Sequence, residues 1–207
     1  MGRLDAARFK KFHQDSGEQI RWFKAIPVPY GTTGRMADGV LLREQTIDTA
    51  ARFLVSSTSD DFESAEFGLI QKGTMQISAF PDWARFNHLD RVILLAPGRA
   101  LSQVEEVTRG DTATDSLRYT PLHAITAVWI AGVEVDAASY EATTTGITWL
   151  SSAPTADTLY AVEYTYAPRY LVLPQNHRTS PTDQRGNPLP LSYWLQWEKR
   201  DGNDGIV

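Results

Sequence analysis

The chain has 207 residues, of which 42% are hydrophobic and 22% charged, with a formal net charge of −5. These values are ordinary for a globular protein with a real core, in one large or two small domains. Cysteine is absent, which excludes disulfides and thiolate metal sites. Because there is no run of about 18 apolar residues, we expect no membrane helix, and the first residues lack the apolar core of a secretory signal. The expected location is the cytoplasm, or a particle assembled there.

Charge is unevenly distributed along the chain. Residues 1–24 hold six basic and three acidic residues, whereas the remainder holds 14 basic and 22 acidic ones. A basic arm on an acidic body suits the docking of one subunit on the next, while the acidic body would repel nucleic-acid phosphates. A solvated helix of mixed charge is the alternative interpretation of the arm.

The first half of the chain predicts a short helix followed by many short strands. Residues 1–19 form an arm with a helix over 4–13, and residues 20–112 form a small β-barrel or sandwich. Its strands are expected at 20–28, 51–57, 67–80 (a hairpin preceded by an acidic turn at 59–66), 90–98 and 103–111.

Residues 30–48 read as one long loop. Two glycines near its start and the Asp38-Gly39 pair are turn signals, and long loops in compact domains commonly bind partners. The candidate channel or partner residues in this loop are Tyr30, Arg35, Met36, Asp38 and Arg43.

A polar linker at 110–116 leads into a second, aromatic-rich β module over 113–175. Its expected strands are 123–136 (turning at Gly132), 139–150, 157–167 and 169–174, followed by a loop and C-terminal strand or arm over 176–207. In 157–167 every second residue is large: Tyr160, Val162, Tyr164 and Tyr166 share one face. Because rings mixed with valine are typical of sheet packing, this face predicts a core or a subunit interface rather than a carbohydrate platform. The candidate packing or interface residues of the whole chain are Trp83, Phe86, Tyr160, Tyr164, Tyr166, Tyr193, Trp194 and Trp197.

The sequence offers few motifs that carry chemistry. The four histidines lack metal-site spacing, and neither a phosphate-binding glycine loop nor a nucleophile elbow occurs. We therefore assign no catalytic residue, no metal and no cofactor, and predict a non-enzymatic, mainly antiparallel all-β protein.

Two stretches carry a resemblance to small β-rich neck proteins of tailed bacteriophages. FGLIQKGTMQISAFPDWARFNHLDRVILL (67–95) resembles the barrel hairpin of head-to-tail connector and head-completion proteins, where a hairpin leads through a loop into a "DRV"-like strand. VEVDAASYEATTTGITWLSSAPTADTLYAVEYTYAPRYLV (133–172) is similar to a "G-I-x-W" strand, turn and tyrosine-rich strand recurrent in virion proteins. Together they cover about a third of the chain.

The resemblance implies a structural virion protein. It would form a homo-oligomeric ring in the neck, between the adaptor and portal on the head side and the tail terminator and tube on the tail side, and would help to gate or seal the DNA channel. DNA would be touched only transiently, and no membrane is involved. Stopper, collar and tail-side connector all stay open as roles, and the alternative function is a carbohydrate- or receptor-binding module of a tail or baseplate.

Overall fold

A computed structural model describes residues 5–37, 39–57, 74–174 and 181–198. This part of the chain consists mainly of antiparallel strands with one short N-terminal α-helix, so the predicted all-β fold class is confirmed. The sheets are open, and the described residues form no closed barrel. The predicted arm of the hairpin at 67–73 and the acidic turn at 59–66 lie outside the described residues.

The elements follow one another in a simple order. Helix α1 spans Ala6–Ser16, and short 3-10 turns occupy Pro97–Arg99 and Ala137–Ser139. The strands are β1 Ile20–Pro27, β2 Arg35–Ala37, β3 Val40–Ile47, β4 Leu54–Ser57, β5 Thr74–Ala79, β6 Arg91–Leu94, β7 Leu101–Thr108, β8 Thr114–Ser116, β9 Leu122–Ile130, β10 Val133–Glu134, β11 Tyr140–Ala142, β12 Gly146–Trp149, β13 Leu159–Tyr166, β14 Arg169–Val172 and β15 Leu191–Trp197.

The chain forms two compact units, and the first is discontinuous in sequence. It comprises the described residues of 5–95 and 169–198, whereas the second comprises 96–168. This division differs from the predicted boundaries at 112 and 175. The reason is long-range pairing: β7 pairs over its full length with β13, and β14 pairs with β6.

The first unit is built on an eight-stranded sheet in the order β2-β3-β1-β6-β14-β15-β5-β4. Trp22, Val92 and Tyr170 stand opposite one another on three adjacent strands and point into the same core. Each large apolar side chain buried in this way contributes about 1.5–3 kcal/mol. Helix α1 packs on this unit through Ala6, which belongs to a small apolar cluster with Phe80 and Leu189.

Helix α1 ends three residues later than the predicted helix at 4–13. The backbone N–H of Gly17 donates to the His13 carbonyl at 2.8 Å and closes the last turn. A Cβ at Gly17 would lie 2.3 Å from that carbonyl oxygen and 2.9 Å from the Phe53 nitrogen. Only glycine therefore allows the chain to leave the helix so close to Phe53.

The second unit contains a four-stranded sheet, β10-β9-β13-β7, and a three-stranded sheet, β11-β12-β8. The alternation in β13 has the structural result that its pattern predicts: Tyr160, Val162, Tyr164 and Tyr166 are all buried in one cluster. The turn expected at Gly132 joins β9 to β10, and Gly132 has a positive φ of 80°.

The structure corrects two local predictions. Residues 30–48 are not one loop, because β2 and β3 pair as an antiparallel hairpin, and Gly39 just before β3 has a φ of 75°. The Asp-Gly pair is a strong hairpin signal, but β2 has only three residues, which is too short for an alternating pattern to be recognised in the sequence. Residues 110–116 are not a linker either, since β8 lies inside them and pairs with β12.

Candidate functional site

The β2–β3 hairpin lies at one edge of the eight-stranded sheet and gathers most of the predicted partner residues. Tyr30 is 76% and Met36 56% exposed, which is unusual for large side chains beside an ordered strand. The Tyr30 hydroxyl donates to the Gly39 carbonyl at 2.7 Å and ties the segment before β2 to the hairpin turn. Asp38 lies outside the described residues.

A groove of about 640 Å³ runs beside this hairpin. Its walls combine apolar side chains with three arginines, a glutamate and the hydroxyls of a threonine pair. The lining residues include Val28, Pro29, Arg35, Leu42, Arg43, Glu44 and Arg91.

Ion pairs fix two of the three arginines. Arg91 Nη1 lies 2.6 Å from Glu44 Oε1, and its Nη2 contacts Glu198. Arg35 Nε lies 3.5 Å from the same Glu44 oxygen, and Arg35 Nη2 donates to a backbone carbonyl at 3.2 Å. Arg43 is exposed and has no ion pair within the described part of the chain.

At Gly34, which lines the groove, the backbone passes close to the backbone of β3. A Cβ placed there would lie 2.6 Å from the Leu42 carbonyl oxygen and 3.2 Å from a methyl carbon of Leu41. Distances below about 3 Å force something to move, and here the nearest atom belongs to the backbone of β3. Glycine at this position therefore shapes the segment that forms one wall of the groove.

The predicted aromatic residues lie mostly inside the units. Tyr160, Tyr164 and Tyr166 belong to the core of the second unit, and Phe86 and Tyr193 to the core of the first. Trp197 packs against the first core from its margin, and Trp83 packs against the small cluster at α1. Trp194 alone of the eight is classed as exposed, at 36%. No exposed platform of rings exists on the described strand β13.

Sequence reasoning missed a buried carboxylate in the second unit. Asp115 is 5% exposed and accepts from Tyr160 Oη at 2.7 Å, Trp149 Nε1 at 3.1 Å, Arg109 Nη1 at 2.9 Å and the Gly110 N–H at 2.9 Å. Burial alone would raise the pKa of Asp115, but these hydrogen bonds outweigh burial and lower the pKa below its usual value. The carboxylate organises the interior of the unit.

Asp90 plays a comparable role in the first unit. It accepts from Trp22 Nε1, the Ala25 N–H and the Asn87 N–H, each at 2.9 Å. Burial is the largest effect and raises the pKa of Asp90 despite these bonds. Like Asp115, Asp90 accepts hydrogen bonds from donors of its own unit. We therefore assign both carboxylates a role in stabilising the fold.

The described residues contain no group of three or more histidine, aspartate or glutamate side chains arranged to hold a metal ion. None of the helices in the described ranges is long and apolar enough to cross a membrane.

Comparisons with known proteins add no relative. No family model matches the chain, and a search of curated proteins finds no match. The hairpin and its groove are therefore the candidate functional surface of this chain.

Proposed function

We propose that this chain is a structural virion protein of a tailed bacteriophage, forming a ring in the neck that joins the DNA-filled head to the tail. The observation that carries the proposal is the hairpin surface of the first unit. It offers exposed Tyr30 and Met36, an exposed Arg43 that forms no ion pair with the described residues, and a groove lined partly by the hairpin, which are features of a protein-binding surface.

The resemblance of two stretches to phage neck proteins supplies the biological setting. The described part of the first stretch contains β5, β6 and the turn between them, which carry the core of the first unit. The second stretch runs from β10 to β14 and supplies most of the aromatic core of the second unit. Both stretches thus act as packing modules, as a structural role requires.

A ring needs two different complementary surfaces on each subunit. Helix α1 contributes exposed basic side chains at Arg8 and Lys11, and Arg21 follows on β1. Lys10 is partly neutralised within the chain, since its Nζ lies 2.5 Å from Asp82. The remaining basic surface of the segment and the acidic body provide one pair of complementary charges.

The proposed partners follow from this role. They are further copies of the chain and the neighbouring neck proteins on the portal and tail-tube sides, with DNA in transient contact. The proposed location is the virion. The carbohydrate-binding alternative loses its main candidate site, because Tyr160, Tyr164 and Tyr166 are buried.

Native mass spectrometry of the full chain, combined with negative-stain electron microscopy, tests the proposal. A ring predicts one dominant species whose mass is a whole multiple of 23.1 kDa and images with a central channel. A chain that stays monomeric at concentrations up to about 100 µM, in the range where weak assemblies form, and that binds glycans on an array would contradict the ring and favour the alternative.

A further inference from the structure

We infer that two copies of this chain meet through helix α1 of one copy and the outer face of the four-stranded sheet β10-β9-β13-β7 of the next. The inference rests on the proposed assembly of this chain and names the two surfaces that meet in it. The sheet face is apolar at its centre and acidic around it, whereas the exposed side of the helix is aromatic and basic.

Strand β13 has one buried face and one outer face. Its side chains from Tyr160 to Tyr166 at every second position are buried in the core of the second unit, and the side chains between them point the other way. Residues that stand directly opposite one another on antiparallel strands share a face. The pairing of the four strands therefore gives the outer face Val104, Glu106, Trp129, Glu134, Ala161 and Glu163.

The centre of this outer face is apolar and has no covering layer. Val104 is 56% exposed, and Ala161 and Trp129 are half-buried. The three-stranded sheet lies on the other side, because Ile147 and Trp149 of β12 belong to the same core cluster as the buried tyrosines. None of the described strands of the second unit thus forms a layer over the outer face.

The charge of the outer face is negative. Glu106 and Glu134 are exposed and Glu163 is half-buried, and none of the three forms an ion pair within the described ranges. Strands β7, β9, β10 and β13 contain no lysine and no arginine. The apolar centre is therefore framed by carboxylates that no cation of the same sheet balances.

The exposed side of helix α1 has the complementary character. Arg8, Lys11, Phe12 and Asp15 lie at i, i+3, i+4 and i+7, so they form one stripe along the helix. All four are exposed, and Phe12 is 53% exposed. Neither Arg8 nor Lys11 forms an ion pair with the described residues. Asp15 is the only acidic residue of the helix, so the stripe stays positive.

A second copy of the chain is the occupant that these two surfaces select. Helices pack on the faces of sheets, so Phe12 can cover the apolar centre while the flanking cations face the glutamates. Two sheet faces would bring like charges together, and so would two helix stripes. Each surface therefore pairs with the other and not with itself. Repeated contacts between unlike surfaces run head to tail, as a ring requires.

Sedimentation velocity of the full chain tests the contact by exchanging charges. One variant carries Arg8→Glu and Lys11→Glu, and the other carries Glu106→Lys and Glu163→Lys. Each variant alone sets like charges against each other, and we expect its association to be about tenfold weaker than that of the parent, or weaker still. A mixture of the two variants sets opposite charges against each other wherever unlike copies meet, so it should restore association.

Two controls separate the contact from general effects of charge and hydrophobicity. Asp48→Lys with Glu141→Lys reverses two exposed acidic residues outside both surfaces, changes the net charge as the sheet variant does, and should associate like the parent. Phe12→Ser should weaken association about tenfold, as loss of a central aromatic contact does. Leu150→Ser removes an exposed leucine outside both surfaces and should leave association unchanged. Circular dichroism of each variant checks that it is folded.

Reversed variants that associate like the parent, or a mixture of them that stays apart, would overturn the inference. The ring is judged separately. A ring that neither variant weakens refutes only this contact, whereas pairs or open chains that both variants abolish refute only the ring. A parent chain that is monomeric at every concentration refutes both.

Discussion

Tyr160 Oη donates a 2.7 Å hydrogen bond to Asp115 Oδ2 in the interior of the second unit. The bond joins β13, an inner strand of the four-stranded sheet, to β8, an edge strand of the three-stranded sheet. Trp149 donates to the same carboxylate oxygen, and its ring packs edge-on against Tyr160 at 5.3 Å. The aromatic cluster of this unit is therefore organised around a single buried charge.

Replacing Asp115 with alanine should destabilise the second unit by about 3 kcal/mol, because buried donors from Tyr160, Trp149 and Arg109 would lose their acceptor. Urea denaturation followed by tryptophan fluorescence measures the change. Asp111→Ala removes an exposed carboxylate four residues earlier and should stay within about 0.5 kcal/mol of the parent. Equal effects of the two substitutions would contradict the buried-charge role.

The same carboxylate predicts an acid-dependent loss of stability. The pKa of Asp115 is lower in the folded chain than its usual value of 3.8, so the unfolded chain binds the proton more readily. Its contribution is complete above the unfolded pKa and is lost as pH falls from about 4 towards the lower folded pKa. Denaturation midpoints at pH 5 and pH 3 should differ less in Asp115→Asn than in the parent. An unchanged difference would place the acid sensitivity elsewhere.

His13 predicts a second pH effect, in a different range and in the other unit. Its ring is fully buried beside Phe80 and Trp83, and burial lowers its pKa below 6.5, with a bond to the Arg52 backbone opposing in part. The folded chain thus favours neutral His13, and stability should decrease as pH falls below about 6.5 towards the folded pKa.

Thermal unfolding between pH 8 and pH 5 measures this effect of His13. His13→Leu should flatten the pH dependence in that range, whereas His123→Gln, at an exposed position, should leave it as in the parent. A parent chain equally stable at pH 8 and pH 5 would contradict the assignment.

Tyr164→Phe should cost about 1–2 kcal/mol. The hydroxyl of this buried side chain donates to Glu105 Oε2 at 3.0 Å and accepts from the Tyr119 N–H at 3.3 Å. Its loss leaves a buried N–H without an acceptor. Tyr30→Phe removes an exposed hydroxyl bond and should cost less than about 0.5 kcal/mol, with guanidinium denaturation as the measurement for both. A Tyr164→Phe chain as stable as Tyr30→Phe would contradict the inferred network.

Gly34→Ala should disturb the groove itself. The added Cβ would approach the Leu42 carbonyl oxygen to 2.6 Å, so the wall segment or β3 has to shift, and we expect a loss of about 1–3 kcal/mol in the free energy of unfolding, measured by urea denaturation. Gly98→Ala is the matched control, since a Cβ there meets no atom within 4 Å. A Gly34→Ala chain as stable as Gly98→Ala would contradict the close backbone approach at this position.

Much of the fold could be predicted because its strands are amphipathic. The large-small alternation of Tyr160 to Tyr166 reports a buried face directly, since successive side chains of a strand point to opposite sides. The discontinuous units could not be predicted in the same way. Pairing of β7 with β13 joins residues more than fifty positions apart. The local hydrophobic pattern of a strand does not show which other strand it pairs with.

The candidate site was only partly visible in the sequence. Tyr30, Arg35, Met36 and Arg43 could be singled out as a partner segment, but the groove depends on Arg91 and on Glu198 from the far end of the chain. Asp115 could not be found because it lies in a stretch of threonine, glycine and aspartate, whose composition is that of a linker. The amino-acid composition of a segment does not show whether one of its carboxylates becomes buried and hydrogen-bonded.

We propose that this chain assembles into a ring as part of a virion neck. Native mass spectrometry of the purified full chain tests it most directly. A ring predicts one dominant assembly whose mass is a whole multiple of 23.1 kDa and which survives dilution to low micromolar concentration. A chain found only as a monomer of 23.1 kDa at every concentration tested would contradict it.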